Sequence, residues 1–504
     1  MNLSRGVFSK IKRRLPLILV TSLSLTLFGC DSDSSSGTGY IQLYNLSSTA
    51  PDIYLTVDQY DDDDYDDTTY SGISFTGITS RLEYESDTYD IELAWQDEYN
   101  SSDLENIYEE QLVVSEDIVK FVVLTGDVRT PEVIDYEFSI RDEDEIEDDS
   151  DDEVFNVRLL NMAEDVGSVQ LYYSESDESF NEAVLVNQAA YAEMSQNQKL
   201  AQDDLIFYIT LADSDDVLFE SQDISFSYAA EYIMVVRENT GSGTSPFILD
   251  ILSTSSSTEY SDTNAEAEYR VYNGIVENVL LPDYLGVFDF YLDGIDATAE
   301  VSSLAFGEFS ESIVSTSGDF SMSLVAPVAD TTIVKNHLLS LTENTDTTVF
   351  FYLLEEAVDE DGDNDVDENG DGIVDEYEIS VNSLVVNNSQ SESIYSHQVN
   401  IINLIDEDEI SDDFSNIKVY FVLSDETIST AGQSVGAVFA TPASVQLLNN
   451  TYEVYVIGQL ESSDVILSST ELVLGESSQD QFLILQKDDS SATGYKMVFA
   501  NQAG

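Results

Sequence analysis

Short runs of alternating apolar and polar residues recur along most of the chain, separated by turn-rich joints rather than by long amphipathic helices. That alternation is what a half-buried strand requires, because successive side chains point to opposite faces of a sheet. Four runs close with asparagine: Gln42-Leu43-Tyr44-Asn45, Arg158-Leu159-Leu160-Asn161, Arg270-Val271-Tyr272-Asn273 and Asn400-Ile401-Ile402-Asn403. Asparagine suits a strand exit, since its side chain bonds nearby backbone and tolerates turn geometry. A second strand follows seven residues later in the first two copies and after a wider gap in the others, at Asp52-Ile53-Tyr54-Leu55, Ser168-Val169-Gln170-Leu171, Asp289-Phe290-Tyr291-Leu292 and Asn416-Ile417-Lys418-Val419. An aromatic then opens an alternating strand at Tyr89, Phe207, Phe320 and Tyr452. A later, more continuously apolar strand carries Phe121, Tyr232, Phe351 and Phe482, as a central strand covered on both faces would. Glu182 to Ser195 could be helical in isolation, but it falls where the other copies show strands and is expected to be one. The asparagines lie 116, 112 and 130 residues apart, a period of whole domains rather than of solenoid units. The pattern therefore predicts an all-β chain of four two-sheet sandwiches, strung as beads on a string.

The start of the chain departs from this pattern. Arg5, Lys10, Lys12, Arg13 and Arg14 precede an apolar stretch from Leu15 to Phe28, which is shorter than the roughly 20 residues a bilayer span needs. With Leu27-Phe28-Gly29-Cys30, this resembles a bacterial lipoprotein signal peptide. The resemblance implies cleavage before Cys30, lipid chains on that cysteine and attachment to a membrane. Residues 1–29 are then the signal peptide, and residues 30–39 are an acylated cysteine and flexible tether. Asp31 resembles the inner-membrane retention signal of enteric bacteria. Acidic tethers also accompany surface lipoproteins, and the outer membrane or cell surface is the favoured location.

Beyond the signal peptide, 12 basic residues face 100 acidic ones, a net charge of −88. Such a chain repels nucleic acid and bare anionic lipid, so nucleic-acid binding is excluded. With Cys30 lipidated, no thiol remains for a disulfide, and each sandwich must stand on its core alone.

In the third copy, Asp289-Phe290-Tyr291-Leu292-Asp293-Gly294, Phe306-Gly307-Glu308-Phe309-Ser310 and Gly318-Asp319-Phe320-Ser321-Met322 resemble a widespread, uncharacterised domain of bacterial exported proteins. Asn45 with Ala50-Pro51-Asp52-Ile53-Tyr54 resembles its opening segment. The resemblance implies immunoglobulin-like sandwiches, usually in tandem and often lipid-anchored. It brings no catalytic residues. The expected organisation is sandwich 1 at 40–140, an acidic linker at 141–153, and sandwich 2 at 154–260. Sandwich 3 follows at 261–395, with an insertion at 359–378, and sandwich 4 at 396–504.

The insertion carries the one motif with metal-ligand spacing. Residues 367–378 fit the twelve-residue calcium loop of EF-hand and dockerin type. Asp367, Asn369 and Asp371 would offer side-chain oxygens, Gly372 the sharp turn and Ile373 its backbone carbonyl. Asp375 would bind directly or through water, and Glu378 would close the loop with both oxygens. The flanks read as strands, which predicts a calcium loop at a hairpin tip. Asp359, Asp361, Asp363 and Asp365 could hold a second ion, although the glycine there is out of place. The acidic runs Asp58 to Asp67, Arg141 to Glu153 and Asp406 to Asp413 have no turn glycine in register and read as solvated loops or linkers.

An enzyme is the weakest reading. His337 and His397 lie in different copies, are expected at the surface or a strand edge, and neither is near a recognisable nucleophile. The remaining expectation is a non-enzymatic, lipid-anchored envelope protein for adhesion, scaffolding or partner binding, with a structural calcium ion and a protein or glycan as partner. A calcium-dependent glycan-binding lipoprotein is the alternative. Trp95, on the Ile91-Leu93-Trp95 face, is expected to pack in a core; Tyr44, Tyr54, Tyr172, Tyr272 and Tyr291 lie in early strands, some facing outward.

Overall fold

The computed structural model describes residues 37–60, 66–96, 103–140, 153–212, 214–295, 298–358, 376–405, 414–460, 463–488 and 490–502. Cys30, the signal peptide, the acidic runs at 141–152 and 406–413, and residues 61–65 of the run Asp58 to Asp67 lie outside these residues.

The first copy consists of β1 (Thr38–Asn45), β2 (Ile53–Gln59), β3 (Thr68–Ile73), β4 (Leu82–Glu85), β5 (Thr88–Gln96), β6 (Leu104–Val113), β7 (Ile118–Thr125) and β8 (Glu132–Ser139). They form two four-stranded sheets, in the orders β4-β1-β7-β8 and β3-β2-β5-β6. β1 and β7 run parallel, from Tyr40 opposite Val119 to Asn45 opposite Leu124. The same two sheet orders recur in the third and fourth copies, and in the second with short added strands. The parallel pair recurs with them: Val154–Asn161 with Glu231–Glu238, Glu266–Gly274 with Asp346–Ala357, and Ser396–Asn403 with Gln481–Lys487. Among the described residues the chain is all β apart from short 3-10 turns. Glu182 to Ser195 contains the strands Val184–Ala189 and Glu193–Met194, as expected. β1 begins at Thr38, two residues inside the stretch read as tether.

The repeat asparagine does more than tolerate a turn. In every copy it is fully buried. Its Nδ2 donates to a backbone carbonyl about thirty residues on: Ile73 (3.0 Å), Ala189 (3.2 Å), Leu304 (2.8 Å) and Ala437 (3.0 Å). Its Oδ1 accepts from the amide two residues on: Ser47 (3.1 Å), Ala163 (3.0 Å), Ile275 (3.1 Å) and Ile405 (3.0 Å). One side chain thus closes the strand exit and ties the two sheets together, which explains a fixed residue at a fixed place.

The sandwiches are not independent beads. The chain divides into two compact units, one built from residues 1–217, 223–237 and 249–260, the other from 218–222, 238–248 and 261–504. Within the first unit, one apolar cluster joins Tyr44, Phe121 and Val123 of copy one to Leu160, Met162 and Val235 of copy two. Within the second, Tyr272 and Phe350 of copy three cluster with Ile402, Phe482 and Ile484 of copy four. The continuously apolar strands are covered on both faces because their outer face meets a neighbouring sandwich.

The two joints follow one plan. Tyr44 and Tyr272 occupy the same place in their copies and are fully buried. Tyr44 donates to Asp250 Oδ2 at 2.6 Å, and Tyr272 to Gln486 Oε1. Two positions earlier, Gln42 Nε2 donates to the carbonyls of Ser253 and Thr254, both at 3.2 Å, while Arg270 reaches the carbonyl of Asn501. Each accepting carbonyl lies at or just beyond the end of the last long strand of the partner copy. The chain is therefore a two-sandwich unit built twice.

Four of the six arginines beyond Cys30 sit in these joints. Arg237 Nε meets Asp250 Oδ2 at 2.6 Å, and its terminal nitrogen also pairs with Glu259. Arg81 (3.0 Å) and Arg158 (3.4 Å) share the buried carboxylate of Glu231 and both lie over the Phe138 ring. Burial on its own would lower the Arg237 pKa, but Asp250 beside it more than offsets that and raises it. Burial first, and then Asp250, push the Tyr44 hydroxyl far up, so it stays a donor. In the second unit, Arg270 bonds Thr348 Oγ1 at 3.1 Å and stacks over Phe309; burial lowers its pKa. The two joints share geometry but differ in chemistry, one ionic and one aromatic and polar.

Candidate functional site

The third copy carries two additions to the common plan, at chain-distant points, and they meet at one end of its sandwich. The first is the hairpin that holds the calcium-loop sequence. Strands Asp346–Ala357 and Tyr377–Asn387 pair without a register break to Ala357 opposite Tyr377, and Val358 N donates to Glu376 O at 2.9 Å. The flanks are strands, as the sequence predicted. Glu378 lies on the returning strand, exposed and directly opposite Glu356. Asp367, Asn369, Asp371, Ile373 and Asp375 lie outside the described residues, as do Asp359 to Asp365.

The second addition is the connection 275–286 between the first two strands of this copy, which spans twelve residues where copy one uses 46–52. It is tightly built. Leu281 N donates to Asn278 O at 3.0 Å, Leu280 N to Asn278 Oδ1 at 2.9 Å and Tyr284 N to Leu281 O at 3.1 Å. Tyr284 is buried, with its hydroxyl 2.9 Å from Asn273 Oδ1, so the loop is pinned to the repeat asparagine. Asn278 Nδ2 donates to Glu355 Oε2 at 3.1 Å, which ties the loop to the root of the hairpin. Thr331 Oγ1 donates to Asp283 Oδ2 at 3.1 Å and brings in the turn 327–330. Three connections thus share one end, and Gly286 turns the chain into the second strand at φ +71°.

Beside this end a cleft of about 280 Å³ opens between Thr331–Leu341 and Tyr377–Asn387. Leu281, Ile333, Val334, Ile379 and Val381 form its apolar walls. Lys335, His337 and Ser380 supply the polar ones. A small recess that mixes apolar walls with a lysine, a histidine and a serine, and gathers no nucleophile–base pair, fits a side chain or short segment better than a reacting substrate.

The sequence candidates fall as follows. His337 lines the cleft. His397, expected at the surface or a strand edge, is buried, its Nε2 2.7 Å from Asn449 Oδ1; the strand that carries it is one of the two inner strands of its sheet. Trp95 is buried as expected. Tyr44 and Tyr272 do point away from their own sandwiches, but the neighbouring copy covers them; Tyr54, Tyr172 and Tyr291 are half-buried. The long first connection of copy three was legible only as a wider gap between two strands. Its place beside the hairpin was not legible.

No protein-family model matches the chain, so the resemblance to the exported domain rests on its motifs. No curated protein matches it either. Among solved structures, the TIE protein of Bacillus anthracis is 6% identical, over 90% of this chain and 76% of its own, with a TM-score of 0.14. A Bacteroides ovatus protein described as an adhesin is 8% identical over 44% and 95%, also at 0.14. A Bacteroides fragilis protein described as a cell adhesion protein is 9% identical over 43% and 97%, at 0.13. These superpositions are too poor to bear on function.

Proposed function

We propose that the mature chain is a non-enzymatic cell-envelope protein, anchored by lipid on Cys30, that serves adhesion, scaffolding or partner binding. The observation that carries this reading is where the structure departs from its own repeat. Rare arginines and buried tyrosines are committed to joining sandwiches into stiff pairs, and the elaborated connections gather at one exposed end of copy three. That is the layout of a presenting scaffold.

Calcium is the local structural element of this reading. Asp367, Asn369, Asp371, the Ile373 carbonyl, Asp375 and Glu378 would hold it. The described root of the hairpin suits a cation, because Glu356 and Glu378 are like charges directly opposite one another, an arrangement that destabilises a strand pair unless it is neutralised. Bound there, calcium would offset the repulsion and stiffen the tip. Calorimetric titration of residues 31–504 is expected to show a saturable calcium site that disappears in the variant Asp367→Ala with Glu378→Ala. Equal heats from the two proteins would remove calcium from the account.

The anchor has its own test. Cells fed labelled palmitate should incorporate it into the full-length chain and not into Cys30→Ser, and the variant should move from the detergent phase to the aqueous one. Label retained by the variant would rule out Cys30 as the lipid site.

A further inference from the structure

We propose that the loop-bearing end of copy three docks a cationic, amphipathic segment of another protein, which places an apolar face on Val279, Leu280, Leu285 and Val328 and basic groups on the carboxylates around them. The proposal rests on the partner-binding reading and gives its surface and chemistry.

The apolar side chains are displayed deliberately by the fold. Val279 is 90% exposed and Val328 74%, with Leu280 and Leu285 about half exposed. They stand on a backbone fixed by the Asn278 turn, the buried Tyr284 and the bonds to Glu355 and Thr331, so flexibility does not account for their exposure. The fold has no need of them. Copy one makes the same connection with Leu46, Ala50 and Pro51 all buried. Leu281, in the same loop, does turn inward, against the core and into the wall of the cleft. An apolar set gathered on connections that are hydrogen-bonded to one another marks an interaction surface rather than scattered surface residues.

Charge selects the occupant. Glu277, Asp283, Asp330, Glu356, Glu376 and Glu378 are exposed on the same three connections and their roots. An apolar centre within a carboxylate rim complements a segment with apolar residues on one face and lysine or arginine along its edges. Anionic lipid and acidic glycan would meet repulsion from the rim and from the net charge of the whole chain.

Two synthetic 18-residue probes of equal positive charge separate this docking from general attraction to an acidic protein: one an amphipathic lysine–leucine helix, the other with serine in place of leucine. Fluorescence anisotropy with residues 31–504 in chelator is expected to give at least tenfold tighter binding of the leucine probe. The variant Val279→Ser, Leu280→Ser, Val328→Ser should lose that tenfold and bind the serine probe unchanged. Val473→Ser, an exposed valine of copy four, should match the parent. Equal binding of the two probes, or a triple variant indistinguishable from the parent, would overturn the proposal. So would binding to phosphatidylglycerol vesicles that the triple variant alone loses, which would make lipid the occupant. With calcium absent and no lipid on the protein, failure here leaves the calcium and lipidation tests standing.

Discussion

Replacing Arg237 by methionine is expected to cost the first unit about 3–5 kcal/mol, the usual loss when one partner of a buried ion pair is removed. Asp250 is fully buried and would keep the Tyr44 hydroxyl as its remaining polar partner in the joint, with its charge uncompensated. The loss arises mostly from that stranded carboxylate. The rescue variant therefore distinguishes the mechanism: Arg237→Met with Asp250→Leu and Tyr44→Phe should recover most of the stability, since buried ion pairs are often replaced by packed apolar groups at little cost. The sole tryptophan makes this measurable in the intact chain. Trp95 is buried in copy one, so its fluorescence in a urea titration follows the first unit. An Arg237→Met midpoint equal to the parent's would show that the joint does not hold the pair together. A triple variant no better than the single one would show that packing around Arg237, including its place over the Phe75 ring, matters more than charge.

The second large effect is expected at the repeat asparagine. Asn45→Ala removes a donor from the Ile73 carbonyl and an acceptor from the Ser47 amide, both buried. At about 1–3 kcal/mol for each of the two groups left unpaired, the loss is about 2–6 kcal/mol, again read by Trp95. Asn45→Asp discriminates further. It keeps an acceptor for Ser47 but sets a carboxylate oxygen against the Ile73 carbonyl in a dry site, and it should be at least as damaging as alanine. An aspartate variant with the parent's midpoint would mean that the bond to Ile73 contributes nothing.

Each copy repeats this geometry, which is why the asparagine could be found before the fold was known. Its two bonds join positions at nearly constant sequence separation, two residues on and about thirty on. Strand alternation was legible for the same reason: it depends on which face of one sheet a residue occupies, a matter of parity along the strand. The hairpin root beneath the calcium-loop sequence also followed from alternation on either side of the insertion, in Val349 to Leu354 and Ile379 to Leu384.

Partners far apart in sequence were another matter. Tyr44 and Asp250 lie in different copies, and in sequence Tyr44 reads like any outward tyrosine of a strand. The continuous apolar character of the strands carrying Phe121 and Phe482 implied cover on both faces, but nothing local says that the cover is a second sandwich. His397 was misplaced for the same reason, since exposure depends on which strands lie beside the one that carries it. At the candidate site the sequence showed a calcium loop and a wide gap between strands as unrelated features. The parallel pairing of first and seventh strands brings their far ends to one side, and so sets the 275–286 connection beside the hairpin root. The sequence by itself determined the strands, the four repeats and the residue that closes each one, because those depend on local parity and spacing. Only the tertiary structure decided the pairing of sandwiches and the convergence of loops on one end, because both depend on contacts between residues that no local pattern links.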